Sequence, residues 1–165
     1  MKALSFHSLV LLAVTLPLGE LPGQCNTSST SAYVASYGAP CGMPILTAAT
    51  NPVLGLVTPL VTSNLAPGLA VVVTAVSLTA PGIPTLDVLG YPLGGNCLNY
   101  VPGATPSAHI LMFGFTGTTV LNLNIPSSST WQNRVVHAQS FVLDLGASSP
   151  MFSEASNALC LYIGT

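Results

Sequence analysis

The sequence predicts an all-β protein, built as a single antiparallel β-sandwich of jelly-roll-like form. Its clearest strand is residues 69–78, where β-branched residues crowd the middle and a Pro-Gly pair lies on each side. Stiff β-branched side chains suit a pleated strand better than a helix. Other short apolar segments recur between glycines and prolines without a helical pattern, and this spacing is typical of sandwiches and jelly rolls.

Composition limits the class of protein further. Half of the 165 residues are hydrophobic and only 4% are charged, whereas an average soluble domain has about 25% charged residues. No apolar segment reaches the ~20 residues of a membrane helix, and disordered chains are poor in apolar residues. The net charge of −2 gives no electrostatic footprint for nucleic acid. One folded domain with a polar, uncharged surface is therefore expected, with no nucleic-acid partner.

The N-terminus has the features of a secretory signal peptide. Met1 and Lys2 give a positive start, and residues 9–16 form an apolar centre. We therefore expect a signal peptide at 1–23, a polar leader at 24–36 and the β-sandwich domain at 37–165. Cys25 also fits a lipoprotein, although Gln24 is a poor residue before a lipidated cysteine. The protein is expected to be secreted or at the cell surface, with no membrane span in the mature chain.

The signal peptide gives a first testable prediction. Since its apolar centre ends near Leu18, the mature chain should begin between Glu20 and Asn26. Intact-mass measurement of the exported protein checks this boundary. Secreted material that retains Met1 would contradict it.

The strands are predicted in order from apolar runs between turn residues. They lie at residues 44–49, 60–64, 69–78, 85–89, 97–101, 108–115, 118–125, 134–143 and 157–163. A Gly-rich loop at 91–96 and a polar loop at 127–133, long enough for one helical turn, separate some of them. Because only Thr116-Gly117 divides 108–115 from 118–125, these two strands are expected to form a hairpin. The predicted core contains Val72, Val76, Leu121, Leu123, Val142 and Leu159.

The four cysteines, Cys25, Cys41, Cys97 and Cys160, are expected to form disulfides because we expect the chain to be exported. Four cysteines allow three pairings, and the residues alone do not choose among them. No pair has C-x-x-C spacing and the histidines are not near them in the sequence, so no metal site and no cofactor are expected.

Few residues could carry acid–base catalysis. His137 could form a triad with Asp144 and a serine, and His109 is the other histidine outside the signal peptide, but no G-x-S-x-G motif is present. His137 and Gln139 lie two apart on a strand and share one face, which favours a hydrogen-bonded surface of the sheet.

Two kinds of ligand site remain as alternatives. Asp144 to Gly146 together with Glu154 is the best calcium loop, yet it contains few carboxylates. Tyr91, Tyr100 and Trp131 could form an aromatic platform for a sugar. A single Trp in a sandwich is more often part of the core or of a loop.

Several short motifs, taken in order, resemble a known module. They are Tyr37-Gly-Ala-Pro-Cys41, Asn51-Pro-Val-Leu-Gly55, Gly95-Asn-Cys97-Leu-Asn-Tyr100, Ile125-Pro126, Gln139, Ser156-Asn-Ala-Leu159 and Ile163-Gly164. The series resembles a β-sandwich module at the C-terminal ends of secreted proteins from planctomycete-type bacteria, over residues 37–165. Pro40 and Asn96 stand where that module usually has glycine, and Cys25 and Cys160 are additions.

The resemblance implies a secreted or surface-attached module with a Cys41–Cys97 bridge and no agreed active-site residues. We expect the added pair, Cys25–Cys160, to tie the leader to the last strand. The predicted function is a non-catalytic structural or adhesive module that associates with itself, a cell-surface protein or glycan. The alternative is a small secreted hydrolase or carbohydrate-binding protein that uses His137 or Trp131.

Overall fold

The computed structural model describes residues 25, 29, 31–66, 70–78, 84–88, 91–101, 108–114, 117–144 and 151–165. The predicted signal peptide lies outside the described residues. The elements of the described part are β1 Tyr33–Tyr37, β2 Ile45–Ala48, β3 Val57–Ser63, β4 Ala70–Ser77, β5 Asp87–Val88, β6 Tyr91–Pro92, β7 Ala108–Gly114, β8 Thr118–Asn124, a 3₁₀ turn Ser129–Trp131, β9 Val135–Asp144 and β10 Met151–Tyr162.

Two antiparallel sheets pack face to face, which confirms the all-β sandwich. The large sheet has the order β1-β10-β9-β4-β7 and the small sheet has the order β2-β3-β8. Strands β5 and β6 pair separately within the described parts of residues 84–101, a segment that we call the loop layer. No helix in the described part of the chain has the length and apolar character needed to cross a membrane.

The β-branched run that predicted a central strand forms β4, between β7 and β9. Residues 71–77 are all buried, because alternate side chains face opposite layers. Val76 packs with the small sheet, whereas Val73 and Ala75 pack with Val88, Leu93 and Cys97 of the loop layer. The loop layer therefore covers the face of β4 that does not face the small sheet.

The inter-sheet core contains most of the predicted core residues. Val72, Val76, Leu121 and Leu159 are buried. Leu123 and Val142 are only half-buried. Leu123 nevertheless packs against the inter-sheet cluster, whose buried members include Leu46, Leu60, Val136 and Leu161.

Three expectations about individual strands are corrected. Strands β7 and β8 do not form a hairpin: β7 pairs with β4 in the large sheet and β8 pairs with β3 in the small sheet. The chain changes sheets between them, so each finds its partner far away in sequence. Residues 97–101 form no strand, and only an isolated bridge joins Thr85 to Asn99. Finally, β1 begins at Tyr33, inside the segment predicted as leader, because it pairs with β10.

Candidate functional site

The cysteines lie in the two expected pairs. The Cα atoms of Cys41 and Cys97 are 5.1 Å apart, and those of Cys25 and Cys160 are 5.8 Å apart. Both distances lie within the range of disulfides. Cys41–Cys97 joins the loop layer to the turn after β1, and Cys25–Cys160 joins the N-terminal segment to β10. Two such pairs are consistent with an extracytoplasmic location.

His137 lies beside the second pair, although the sequence separation predicted no histidine near the cysteines. In the register of β9 and β10 it stands directly opposite Cys160, and one ligand atom each of Cys25, Cys160 and His137 lie within 4.8 Å of one another. Metal ions bind the thiolate form of cysteine. Cys25 and Cys160 are joined to each other, so neither has a thiolate. The imidazole therefore packs on a disulfide.

The His137 side chain is 4% exposed. Its Nδ1 atom lies 3.1 Å from the Tyr37 hydroxyl in a hydrogen bond whose direction depends on the imidazole tautomer, and the two rings meet edge to face. Burial lowers the pKa of His137 from 6.5 to about 4 and raises the pKa of Tyr37. Both groups are therefore neutral at neutral pH.

This burial predicts a pH dependence of stability. In the folded chain His137 becomes protonated as the pH falls through its lowered pKa of about 4, whereas in the unfolded chain its pKa is 6.5. Protonation in this window favours the unfolded state, so the contribution is complete above pH 6.5 and is lost as the pH falls towards 4. The melting temperature should fall less over this window in His137→Phe than in the wild type. Parallel curves for the two proteins would contradict the assignment.

Asp144, the carboxylate of the candidate triad, lies far from His137 along the strand. His137 and Asp144 lie near opposite ends of β9, seven residues or roughly 23 Å apart at the rise of a strand, so the imagined triad does not form. His109 lies in β7 opposite Ala75, and its side chain is outside the described part. Leu145 and Gly146 of the predicted calcium loop also lie outside the described residues.

The three aromatic candidates do not form one platform. Trp131 is half-buried and packs against the inter-sheet core. Tyr91 is exposed and meets Phe152 edge to face, with ring centroids 6.4 Å apart. The rings of Tyr100 and Tyr37 pack with their centroids 6.3 Å apart. Tyr100 also leaves no space for a side chain at position 38, since a Cβ on Gly38 would lie 2.6 Å from its ring. Trp131 and the two tyrosines thus pack against different neighbours.

Gln139 organises the face of the large sheet under the loop layer. Its Oε1 accepts from the Tyr100 N–H at 2.8 Å, and its Nε2 donates to the carbonyls of Leu98 and Ser156 at 3.0 and 2.8 Å. The β9–β10 register shifts between Ala155 and Ala158. In this bulge the Ser140 N–H donates to the Ser156 hydroxyl. At the bulge, the side chains of Gln139 and Ser156 therefore bond the Ser156 carbonyl and the Ser140 N–H, and Gln139 also holds the loop layer through Leu98 and Tyr100.

Removing this amide should cost stability. Gln139→Leu removes the side-chain partner of three backbone groups, which are buried at Ser156 and part-buried at Leu98 and Tyr100, and we expect a loss of roughly 2–4 kcal/mol. Chemical denaturation of this variant and of Gln132→Leu, at an exposed position in the turn before β9, measures the difference. Equal stability of the two variants would contradict the role of Gln139.

Asn157, the next residue of the bulge, reaches from the large sheet to the edge of the small one. Its Oδ1 accepts from the Leu46 N–H at 2.9 Å, and its Nδ2 donates to the Leu46 carbonyl at 3.0 Å and to Ser36 Oγ at 2.8 Å. The amide thus satisfies the free edge of β2 as a neighbouring strand would. It also forms part of an open groove of about 500 Å³ between β1 and β2.

Exposed apolar side chains lie on the solvent side of the small sheet, which we call the outer face. Alternate residues of its strands point outward. Ile45, Val57 and Val120 are 40%, 47% and 39% exposed. Strands β2, β3 and β8 contain no Asp, Glu, Lys or Arg. The outer face therefore combines exposed aliphatic groups with Thr, Ser and Asn, and carries no charge.

Neither the outer face nor the bridging role of Asn157 was predicted from the sequence. The alternation in residues 118–125 was the available signal for the first, and local sequence contains no signal for the second. The motif residues Tyr37, Tyr100, Gln139 and Asn157 all hold backbone or packing contacts. No protein-family model matches this chain, and no match was found among curated proteins or among solved structures.

Proposed function

We propose that this protein is a secreted or cell-surface, non-catalytic β-sandwich module that acts by contact, in a structural or adhesive role. The observation that carries the proposal is the uncharged outer face of the small sheet. Exposed aliphatic side chains gain free energy when a partner covers them. A surface without charges can be covered without leaving an ion unpaired. The expected partners are neutral protein or glycan surfaces, including a second copy of the chain.

The environment of the candidate catalytic residues supports the same proposal. A general base must come within hydrogen-bond reach of a substrate proton. His137 is buried and hydrogen bonded to Tyr37, and Trp131 packs on the core. Neither arrangement favours the alternative of a hydrolase or carbohydrate-binding protein.

Binding of the labelled protein to the envelope of its own cells tests the proposal. Val57→Glu places a carboxylate in the outer face and should weaken binding about tenfold or more, because the partner would bury an unpaired charge. Gln132→Glu adds the same charge at an exposed position outside the small sheet and should bind as the wild type does. Binding that survives Val57→Glu unchanged would contradict the proposal.

A further inference from the structure

Among the described strands, β8 lies at an edge of the small sheet. Within the described part of the chain, its one strand partner is β3, over seven residue pairs from Thr118 to Asn124. An edge strand presents a row of backbone N–H and C=O groups that can pair with another chain. Which residues present these groups follows from the ladder with β3.

The chemistry of Pro59 identifies the free groups. Pro59 stands opposite Asn122 and has no N–H, and its carbonyl accepts from Ala49 on the other side of β3. The Ile125 N–H, at the end of the same ladder, donates to the Leu56 carbonyl. Since hydrogen-bonded and non-hydrogen-bonded pairs alternate in an antiparallel ladder, the even-numbered residues of β8 direct their backbone groups to the open edge. They are Thr118, Val120, Asn122 and Asn124.

The two edges of the small sheet differ in how they are protected. Strand β2 is four residues long, and Asn157 already occupies the backbone groups of Leu46. Natural edge strands are also protected by charges, prolines or bulges. Strand β8 contains no charged residue and no proline, and its ladder with β3 has no register shift.

We propose that β8 of one copy pairs antiparallel with β8 of a second copy, about a twofold axis at Leu121. This register matches Thr118 with Asn124 and Val120 with Asn122, so every free backbone group of the strand finds a partner. It also places the half-buried Leu123 next to Thr119 of the second copy, which extends the inter-sheet core. The inference rests on the proposed function and names its partner, because the outer faces of the two copies become one continuous uncharged surface.

A second copy fits this edge better than an unrelated segment for two reasons. The strand is its own complement in length and register, since the residues with free groups are symmetric about Leu121. The residues that meet, Val120 against Asn122, bring no like charges together. A separate peptide at this edge is a different outcome of the test and would overturn the proposal.

Sedimentation of the full protein over a concentration series tests the dimer. Asn122→Pro removes an N–H that faces the open edge and leaves the bonds to β3 in place, so the dimer dissociation constant should rise by about thirtyfold for the two N–H groups lost per dimer. Asn122→Ser keeps the N–H and should dimerise as the wild type does. A wild type that stays monomeric, or a proline variant that dimerises equally well, would overturn the proposal.

Charged variants keep the test valid if Asn122→Pro fails to fold. The double variants Val120→Lys/Asn122→Lys and Val120→Glu/Asn122→Glu each bring like charges opposite one another and should be monomeric, whereas their mixture should form the heterodimer. Failure of the mixture to associate would overturn the proposed register. If the wild type forms no dimer but Val57→Glu still weakens its binding to the envelope, this inference is overturned and the proposed function stands.

Discussion

Replacing Val76 by Asp is expected to unfold the protein at ordinary temperatures. Val76 is 6% exposed, lies in β4 between Ala138 and Ala108, and packs into the inter-sheet core with Leu46 and Leu121. A carboxylate there would lose its hydration and gain no partner among these aliphatic side chains. We expect a loss of roughly 5 kcal/mol, which is comparable to the whole stability of a small domain.

The matched control is Val57→Asp, the same change at a valine that is 47% exposed. Far-ultraviolet circular dichroism during thermal unfolding should give a β spectrum and a transition for this control, and no transition for Val76→Asp. An unchanged melting temperature in Val76→Asp would show that β4 does not lie in the core.

Removing the Cys41–Cys97 bridge is expected to lower the stability of the protein strongly. The bridge closes a loop with a sequence separation of 56, and on the chain-entropy model a loop of this length contributes about 4 kcal/mol. It also joins the loop layer to the turn after β1, where Cys97 is fully buried against Phe141 and Phe152. The double variant Cys41→Ala/Cys97→Ala should therefore unfold at much lower denaturant concentration than the wild type.

The companion variant Cys25→Ala/Cys160→Ala serves as a comparison, because it keeps the Cys41–Cys97 bridge. Peptide mapping without reductant should recover Cys41 joined to Cys97 in this variant and in the wild type. Recovery of Cys41 joined to Cys160 would contradict the pairing, and equal stability of the Cys41→Ala/Cys97→Ala variant and the wild type would contradict the contribution of the bridge.

The fold was predictable where local pattern decides structure. The β-branched run of β4 and the alternation of Leu121 and Leu123 in β8 are local signals, and the structure places these strands in the sandwich. The predicted hairpin was wrong because the pairing of these strands depends on the packing of the two sheets, which local sequence does not show. Residues 108–114 and 118–124 both form strands and lie close together in the sequence. Their partners are nevertheless β4 and β3, because the two strands belong to different sheets.

The same limit applies to the candidate site. The shared face of His137 and Gln139 follows from their spacing, but the bulge at Ser156 and Asn157 depends on the register of β9 against β10. The proximity of His137 to Cys25 and Cys160 also requires the fold. The open edge of β8 depends on strand order, which no single segment contains.

The claim that this protein acts by contact is tested most directly by a turnover measurement. The purified protein and His137→Ala, with their folding checked by thermal unfolding, are assayed against panels of ester, glycoside and peptide substrates. We expect no turnover above the uncatalysed rate for either protein, because His137 is buried against Tyr37 and the Cys25–Cys160 pair. Turnover by the wild type that disappears in a folded His137→Ala variant would contradict it.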